Sequence, residues 1–147
     1  MNTIITGAHG VVGTAVTEHS SNTYTLLDRE DPPSTLPDGT SHPHIDRDSI
    51  TVDVSDRDSM VELLEGHDRV VHLAGDPAVD ASYRSVEQNN VRGTYNTLEA
   101  ARQADIDTFV FASSNHVVGM YEKEHEPELY GSEHELTVDH NSPVRPD

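Results

Sequence analysis

Ile4-Ile5-Thr6-Gly7-Ala8-His9-Gly10-Val11-Val12-Gly13 is the stretch on which the reading of the whole chain turns. Its opening is a short β-branched run stopped by glycine, the pattern of a buried strand. After Gly10, the residues Val12, Ala15, Val16 and His19 recur at helical spacing and predict a first helix of about two to three turns. The junction between them holds Gly7, Gly10 and Gly13, spaced GxxGxxG rather than GxGxxG. A strand-to-helix junction of this kind needs glycine for a tight turn, for close approach of backbone to a pyrophosphate, and for helix packing against the strand. The helix N-terminus then offers free N–H groups and its positive dipole end to the phosphates. Three glycines alone are a weak signal; their position between a strand and a helix makes them a candidate dinucleotide turn.

Working outward, four more apolar runs read as strands. They are Tyr24-Thr25-Leu26-Leu27, closed by Asp28; Ile50-Thr51-Val52, closed by Asp53; Val70-Val71-His72-Leu73, stopped by Ala74-Gly75; and Phe109-Val110-Phe111. Ser55 with Asp58 has the form of a capping box, opening a helix whose buried stripe is Met60, Leu63 and Leu64. A longer helical stretch places Val86, Asn90, Thr94, Leu98 and Ala101 on one face. Residues 30–48 contain four prolines and few apolar side chains, and read as a solvated loop insertion. Alternating strands and helices predict the α/β class, a doubly wound parallel sheet (Rossmann-like) with strand order 3-2-1-4-5. Residues 1–117 are expected to form this domain. Residues 118–147 carry eight acidic residues and three prolines with no sustained period, and are expected to be an active-site loop or a poorly ordered tail.

Asp28 lies 21 residues after Gly7, where a carboxylate can accept hydrogen bonds from an adenosine ribose and would repel a 2′-phosphate, favouring NAD over NADP. Asp53 holds the corresponding place after the third strand, facing an adenine amino group. Either aspartate is equally a turn residue in a chain this acidic. Ser113, Ser114, Asn115 and His116 follow the fifth strand, where open α/β sheets place their ligands, and a hydroxyl beside an amide and an imidazole suits a polyol. A hydrogen-bonded turn for the serines and a structural or solvated place for His116 remain open. The histidines show neither HExxH nor another ligand spacing, and there is no cysteine, so no metal site is expected.

Nine Lys and Arg stand against 27 Asp and Glu, for a formal charge of −18. Such a field repels nucleic acid and anionic lipid, so neither is an expected partner. No run approaches the roughly 18 apolar residues of a membrane span and the amino end lacks signal-peptide features, so a soluble, cytoplasmic protein is expected. Eight of the nine basic residues are arginine, and Lys123 is the single lysine. Acid excess with so little lysine suits concentrated salt, where the Debye length is about 3 Å and self-repulsion is screened. Halophilic behaviour is therefore expected, with stability rising as KCl is added.

Gly7-x-x-Gly10-x-x-Gly13, Asp28, Asp53-Val54, His72-Leu73-Ala74-Gly75, Asn89-Asn90-Val91-Arg92-Gly93-Thr94 and Phe111-Ala112-Ser113-Ser114-Asn115-His116 occur in the order found in the extended short-chain dehydrogenases. The chain thus resembles the NAD-dependent epimerase/dehydratase group over essentially its whole length. Ser113-Ser114-Asn115-His116, with Gly119-Met120-Tyr121 and Pro127-Glu128-Leu129-Tyr130, is more narrowly similar to uronate dehydrogenases and to the haloarchaeal NAD-dependent glucose-6-phosphate dehydrogenases.

The resemblance implies NAD as cofactor, held by Gly7, Gly10, Val11, Val12, Gly13, Asp28, Asp53, Val54, Leu73, Ala74, Gly75 and Asn90. It also implies a catalytic Ser114 that bonds the reacting hydroxyl, and substrate contacts from Ser114, Asn115 and His116. The implied function is the NAD-binding portion of a sugar or sugar-phosphate dehydrogenase, oxidising glucose 6-phosphate or a uronate at C1. A fragment of a nucleotide-sugar epimerase or dehydratase, or a non-catalytic dinucleotide sensor, are the alternatives. The family's Tyr-x-x-x-Lys pair is missing: none of Tyr24, Tyr83, Tyr95, Tyr121 and Tyr130 has lysine four residues on. A piece truncated after the fifth strand is therefore expected, without the catalytic helix and sugar-binding lobe, and inactive alone. The resemblance further implies that full-length members are homo-oligomers, the helix near residues 86–101 pairing with the missing catalytic helix to build a dimer.

Overall fold

In a computed structural model describing residues 1–125, 131 and 137–147, the strand β1 (Thr3–Thr6) is buried along its whole length. It lies at the centre of a five-stranded parallel sheet ordered β3-β2-β1-β4-β5, with β2 (Tyr24–Asp28), β3 (Ser49–Thr51), β4 (Arg69–His72) and β5 (Thr108–Phe111). This is the expected order. Thr6, the last residue of β1, stands level with Leu27 on β2 and His72 on β4, so the carboxyl ends of the three central strands finish together.

Ile4 and Ile5 are both fully buried and, as strand neighbours, face opposite sides of the sheet. Ile4 packs with Leu27, Val54, Val70, Met60, Leu64, Ala100 and Ala101. Ile5 packs with Ala8, Leu26 and Val16 on the other side. Both faces are therefore covered, α2 (Arg57–Leu64) and α4 (Gly93–Gln103) on one and α1 (Val11–His19) on the other. Each isoleucine contributes about 1.5–3 kcal/mol by leaving water.

The helices depart from the expected faces. In α1 the buried residues are Gly13, Thr14 and Thr17, with Val16 half-buried, whereas Ala15 and His19 are exposed and Val12 is 58% exposed. Gly13 decides this, because its backbone must pass so close to Gly7 that a Cβ would sit 2.5 Å from the Gly7 carbonyl oxygen. The cap of α2 is Asp56 rather than Ser55: its carboxylate accepts the Ser59 N–H at 3.4 Å and the Ser59 hydroxyl at 2.8 Å. Ser55 is instead held in a turn, its N–H donating to Asp53 Oδ1 at 2.8 Å. Met60 and Leu64 are fully buried as expected, and Leu63 is half-buried.

The long helical stretch is not uniformly α. A short α3 (Tyr83–Ser85) leads into a π-helical segment, Val86–Arg92, and then into α4. A π segment holds one residue more per turn, so positions before and after it fall out of phase. The face of α4 is accordingly Gly93, Asn96, Thr97, Ala100 and Ala101, and Leu98 is 46% exposed.

Residues 30–48 are mostly exposed, as expected of a solvated loop, with an exception. A bridge pairs Thr35 with Ser41, and His42 and His44 are buried. Neutral imidazoles bury readily where hydroxyl and carbonyl partners meet them.

The chain divides into two compact units, Met1–Ala112 and Ser113–Asp147. In the second, a 3₁₀ turn (Asn115–Val118) runs into the short α5 (Gly119–His125). The Arg145 N–H donates to the Val117 carbonyl at 3.0 Å, and the Arg145 guanidinium pairs with Glu124, Nη1 lying 2.7 Å from Oε2. Pro127-Glu128-Leu129-Tyr130 lies outside the described residues. No helix among the described residues is long and apolar enough to cross a membrane.

Candidate functional site

At the end of β1 the chain turns through Gly7 with φ +69°, left-handed backbone that favours glycine, and a Cβ there would lie 2.7 Å from the Ala74 amide nitrogen. Gly10 then caps α1 with no side-chain hydrogen bond, leaving the first-turn N–H groups without a capping side chain. Gly10, Val11 and Val12 are exposed, so the surface of this turn is open. Bare backbone at an uncapped helix end is what a pyrophosphate requires, and the residues present fit one.

Asp28 closes β2 beside the turn. Its Oδ2 accepts the His9 N–H at 2.8 Å and its Oδ1 accepts the Arg29 N–H at 2.7 Å. Both oxygens keep a lone pair for ribose hydroxyls, and the carboxylate is held in place by two backbone donors. Asp53 is occupied by its turn with Ser55, and the Val54 side chain belongs to the core.

After β4 the Leu73 N–H donates to the Thr6 carbonyl at 3.1 Å and the Ala74 N–H to the Thr6 hydroxyl at 3.3 Å. His72, fully buried, has Nδ1 2.8 Å from the same hydroxyl and Nε2 3.2 Å from the Thr94 hydroxyl. Burial pushes its pKa down to about 4, so the ring is neutral. The assignment that gives the Thr6 hydroxyl proton an acceptor is Ala74 N–H to Thr6 O, Thr6 O–H to His72 Nδ1, and His72 Nε2–H to Thr94 O. This relay ties the loop after β4 to β1 and α4.

Asn90 grips one residue twice: its Oδ1 accepts the Asp76 N–H at 2.6 Å and its Nδ2 donates to the Asp76 carbonyl at 3.0 Å. A Cβ on Gly75 would lie 3.4 Å from Asn90 Oδ1. Asp76 in turn accepts from the Ser85 hydroxyl and, at 3.1 Å, from the Ala78 N–H; the Ser85 bond most of all holds its carboxyl below the usual range. Asp76, Ser85, His42 and His44 are the residues that sequence reasoning missed. The pairing of an acid just after Gly75 with a serine five residues before Asn90 was the available signal.

In the second unit Ser114, Asn115 and His116 stand together. The Ser114 hydroxyl accepts the His116 N–H at 3.2 Å, capping the 3₁₀ turn. His116 Nδ1 lies 2.8 Å from Asp147 Oδ1, and Lys123 Nζ lies 3.3 Å from Oδ2. Tyr121 is buried, its hydroxyl donating to the Pro143 carbonyl at 3.3 Å, so its oxygen already has a partner. Among the described residues no group of three or more His, Cys, Asp or Glu could hold a metal ion. A cleft of about 300 Å³ lined by Asn22, Tyr24, Leu26, Arg47 and Asp48 lies toward the amino end of β2, at the other end of that strand from Asp28.

Residues 3–143 match the NAD dependent epimerase/dehydratase family. The chain belongs to this family. It is 41% identical to an L-arabinose 1-dehydrogenase (NAD(P)(+)) of Haloferax volcanii, the match covering 97% of the chain and 53% of that protein. It is 38% identical to an NAD-dependent glucose-6-phosphate dehydrogenase of the same organism, over 97% of the chain and 55% of the relative. Among solved structures, a mutant uronate dehydrogenase from Agrobacterium tumefaciens complexed with NAD superposes with a TM-score of 0.72 at 27% identity, over 99% of the chain and 49% of that structure. The chain spans about half the length of the curated relatives it matches.

Proposed function

We propose that this chain is the NAD-binding portion of a halophilic, cytoplasmic NAD-dependent sugar or sugar-phosphate dehydrogenase. The observation that carries the reading is Asp28, held by two backbone donors beside an uncapped glycine turn. Gly7, Gly10, Val11, Val12 and Gly13 present the turn to the pyrophosphate. Asp28 takes the adenosine ribose, main chain at Asp53 and Val54 faces the adenine, and Leu73, Ala74, Gly75 and Asn90 line the channel towards the nicotinamide. Bound NAD supplies a hydride acceptor. Ser114 orients the substrate hydroxyl, with Asn115 and His116 binding the sugar, whose class is glucose 6-phosphate, a pentose or a uronate, as the names of the relatives suggest.

Binding without turnover is the expected behaviour of these residues alone. They contain no Tyr-x-x-x-Lys, and Tyr121 is engaged with Pro143. A missing general base costs a factor of about 10² to 10⁴. Calorimetric titration in molar KCl tests the reading: NAD should bind more tightly than NADP, and glucose 6-phosphate or glucuronate should yield no NADH. Equal or tighter NADP binding would refute the placement of Asp28. NADH formation that Ser114→Ala abolishes would show that the base has been wrongly assigned.

A further inference from the structure

His9 lies inside the glycine turn, and His42 and His44 come from the segment between β2 and β3; their ring centroids are 5.1 to 5.9 Å apart. The donor count assigns their protons. The Thr17 hydroxyl donates to the Thr14 carbonyl at 2.9 Å, so it must accept from His44 Nε2–H at 2.7 Å. His44 Nδ1 is then an acceptor, and the His9 ring donates to it from Nδ1 at 3.2 Å. The His44 backbone N–H donates to His42 Nδ1 at 3.1 Å, so His42 carries its proton on Nε2, within 3.2 Å of the His9 carbonyl oxygen and 3.3 Å of the Thr14 hydroxyl.

Every polar handle by which His9 could move is thereby held, except one. Its N–H is taken by Asp28, its carbonyl by His42 and its ring Nδ1 by His44. Its Nε2 is shielded from solvent and has no partner in the structure.

We infer that residues 30–48 are a positioning clamp for the dinucleotide turn, acting on His9 through His42 and His44, and that the clamp holds only while the three rings are neutral. The inference rests on the reading of this turn as a dinucleotide site. A proton added to His42 Nδ1 or His44 Nδ1 would set two N–H groups face to face and break the bond between them. A proton on His9 Nε2 would bury a cation. Burial lowers the His44 pKa to about 4, with Arg47, His42 and His9 acting the same way and Glu18 opposing. Burial also lowers that of His9, with Asp28 and Asp31 opposing and His42 reinforcing it. The sign follows: released His9 and His44, near pKa 6.5, take up protons that these two rings refuse when clamped, so acid favours release of the turn. Dinucleotide affinity is therefore full at neutral pH and falls as pH drops below about 6.

The test uses the 147-residue chain in molar KCl, with circular dichroism to confirm folding. His42→Leu removes the donor to the His9 carbonyl, and His42→Gln keeps an amide donor there. At pH 7.5 His42→Leu should bind NAD about three- to tenfold more weakly than the native chain, and His42→Gln should bind nearly as well. Between pH 7.5 and 5 native affinity should fall about tenfold, and His44→Gln should flatten that profile. Amide exchange at pH 7 with no nucleotide present should be faster at His9 and Gly10 in His42→Leu and unchanged in His42→Gln. His42→Leu with native affinity, native pH profile and native exchange overturns the clamp. A native chain that binds no NAD at pH 7.5 overturns the dinucleotide reading instead, and exchange then decides the clamp: unchanged rates in His42→Leu refute it.

Discussion

Two sides of one sheet are finished differently. Around β1 and β2, Ile4, Ile5 and Leu27 are fully buried, and the polar groups of the adjoining turn are matched by Asp28, His42 and His44. On the β5 side Val110 and Phe111 are about half exposed, and Tyr95 and Leu98 of α4 are open as well. On the first side, the backbone groups of the turn are met by side chains of the same unit. The second presents apolar area and, among the described residues, an unpaired strand edge, which favour association.

The substitution expected to break this contrast most severely is Gly13→Val. A side chain at Gly13 meets the Gly7 and Ala8 carbonyl oxygens at 2.5 and 2.6 Å, both backbone, so the turn must shift. NAD binding should be lost, with about 3 kcal/mol or more of stability, read by calorimetry and urea unfolding. Gly39→Ala is the control, since nothing lies within 4 Å of a Cβ there and only its φ of +84° is strained; about 1 kcal/mol is expected.

A comparable effect comes from acid. The folded pKa of His72 is about 4, below that of the unfolded chain, so the unfolded state takes the proton first. Stability is full above about pH 6.5 and should decline by about 3 kcal/mol as pH falls to 4. The urea midpoint followed over that range checks it, and a slope that survives in His72→Asn would assign the effect to other groups.

Phe111→Glu sharpens the β5 half of the comparison. It should lower self-association several-fold in sedimentation velocity while leaving NAD affinity intact, and undiminished association would move the sticky surface elsewhere. Asp28→Ser should leave stability unchanged and narrow the preference for NAD over NADP by about tenfold, near 1.4 kcal/mol. An unchanged ratio would remove Asp28 from the ribose.

Strand order was legible because each strand is a β-branched or aromatic run, four of the five closed by glycine or aspartate, and right-handed crossovers leave few ways to arrange five such strands. Helix faces were less so. Val12, Ala15 and His19 have helical spacing, yet Gly13 must face the turn, and that requirement comes from Gly7 rather than from periodicity. Asp56 displaced Ser55 as a cap because Asp53 had already bound the Ser55 N–H. His42 and His44 looked solvated because their partners, Thr14, Thr17 and His9, lie roughly thirty residues earlier in the chain. Of the site, the glycines and Asp28 were readable from local spacing, whereas the Asn90 grip on Asp76 depends on a π segment that no hydrophobic pattern announces.

That segment has an evolutionary consequence. Removing one residue from Val86–Arg92 would leave an ordinary α-helix, and the part before it would swing by about 100° relative to α4. Asn96, Thr97, Ala100 and Ala101 would keep their places in the core, while Ser85 would turn away from Asp76. A single-codon deletion here would alter the hold on Asp76 while sparing the α4 core, so descendants could remodel the loop after Gly75 by indels without first finding a new core.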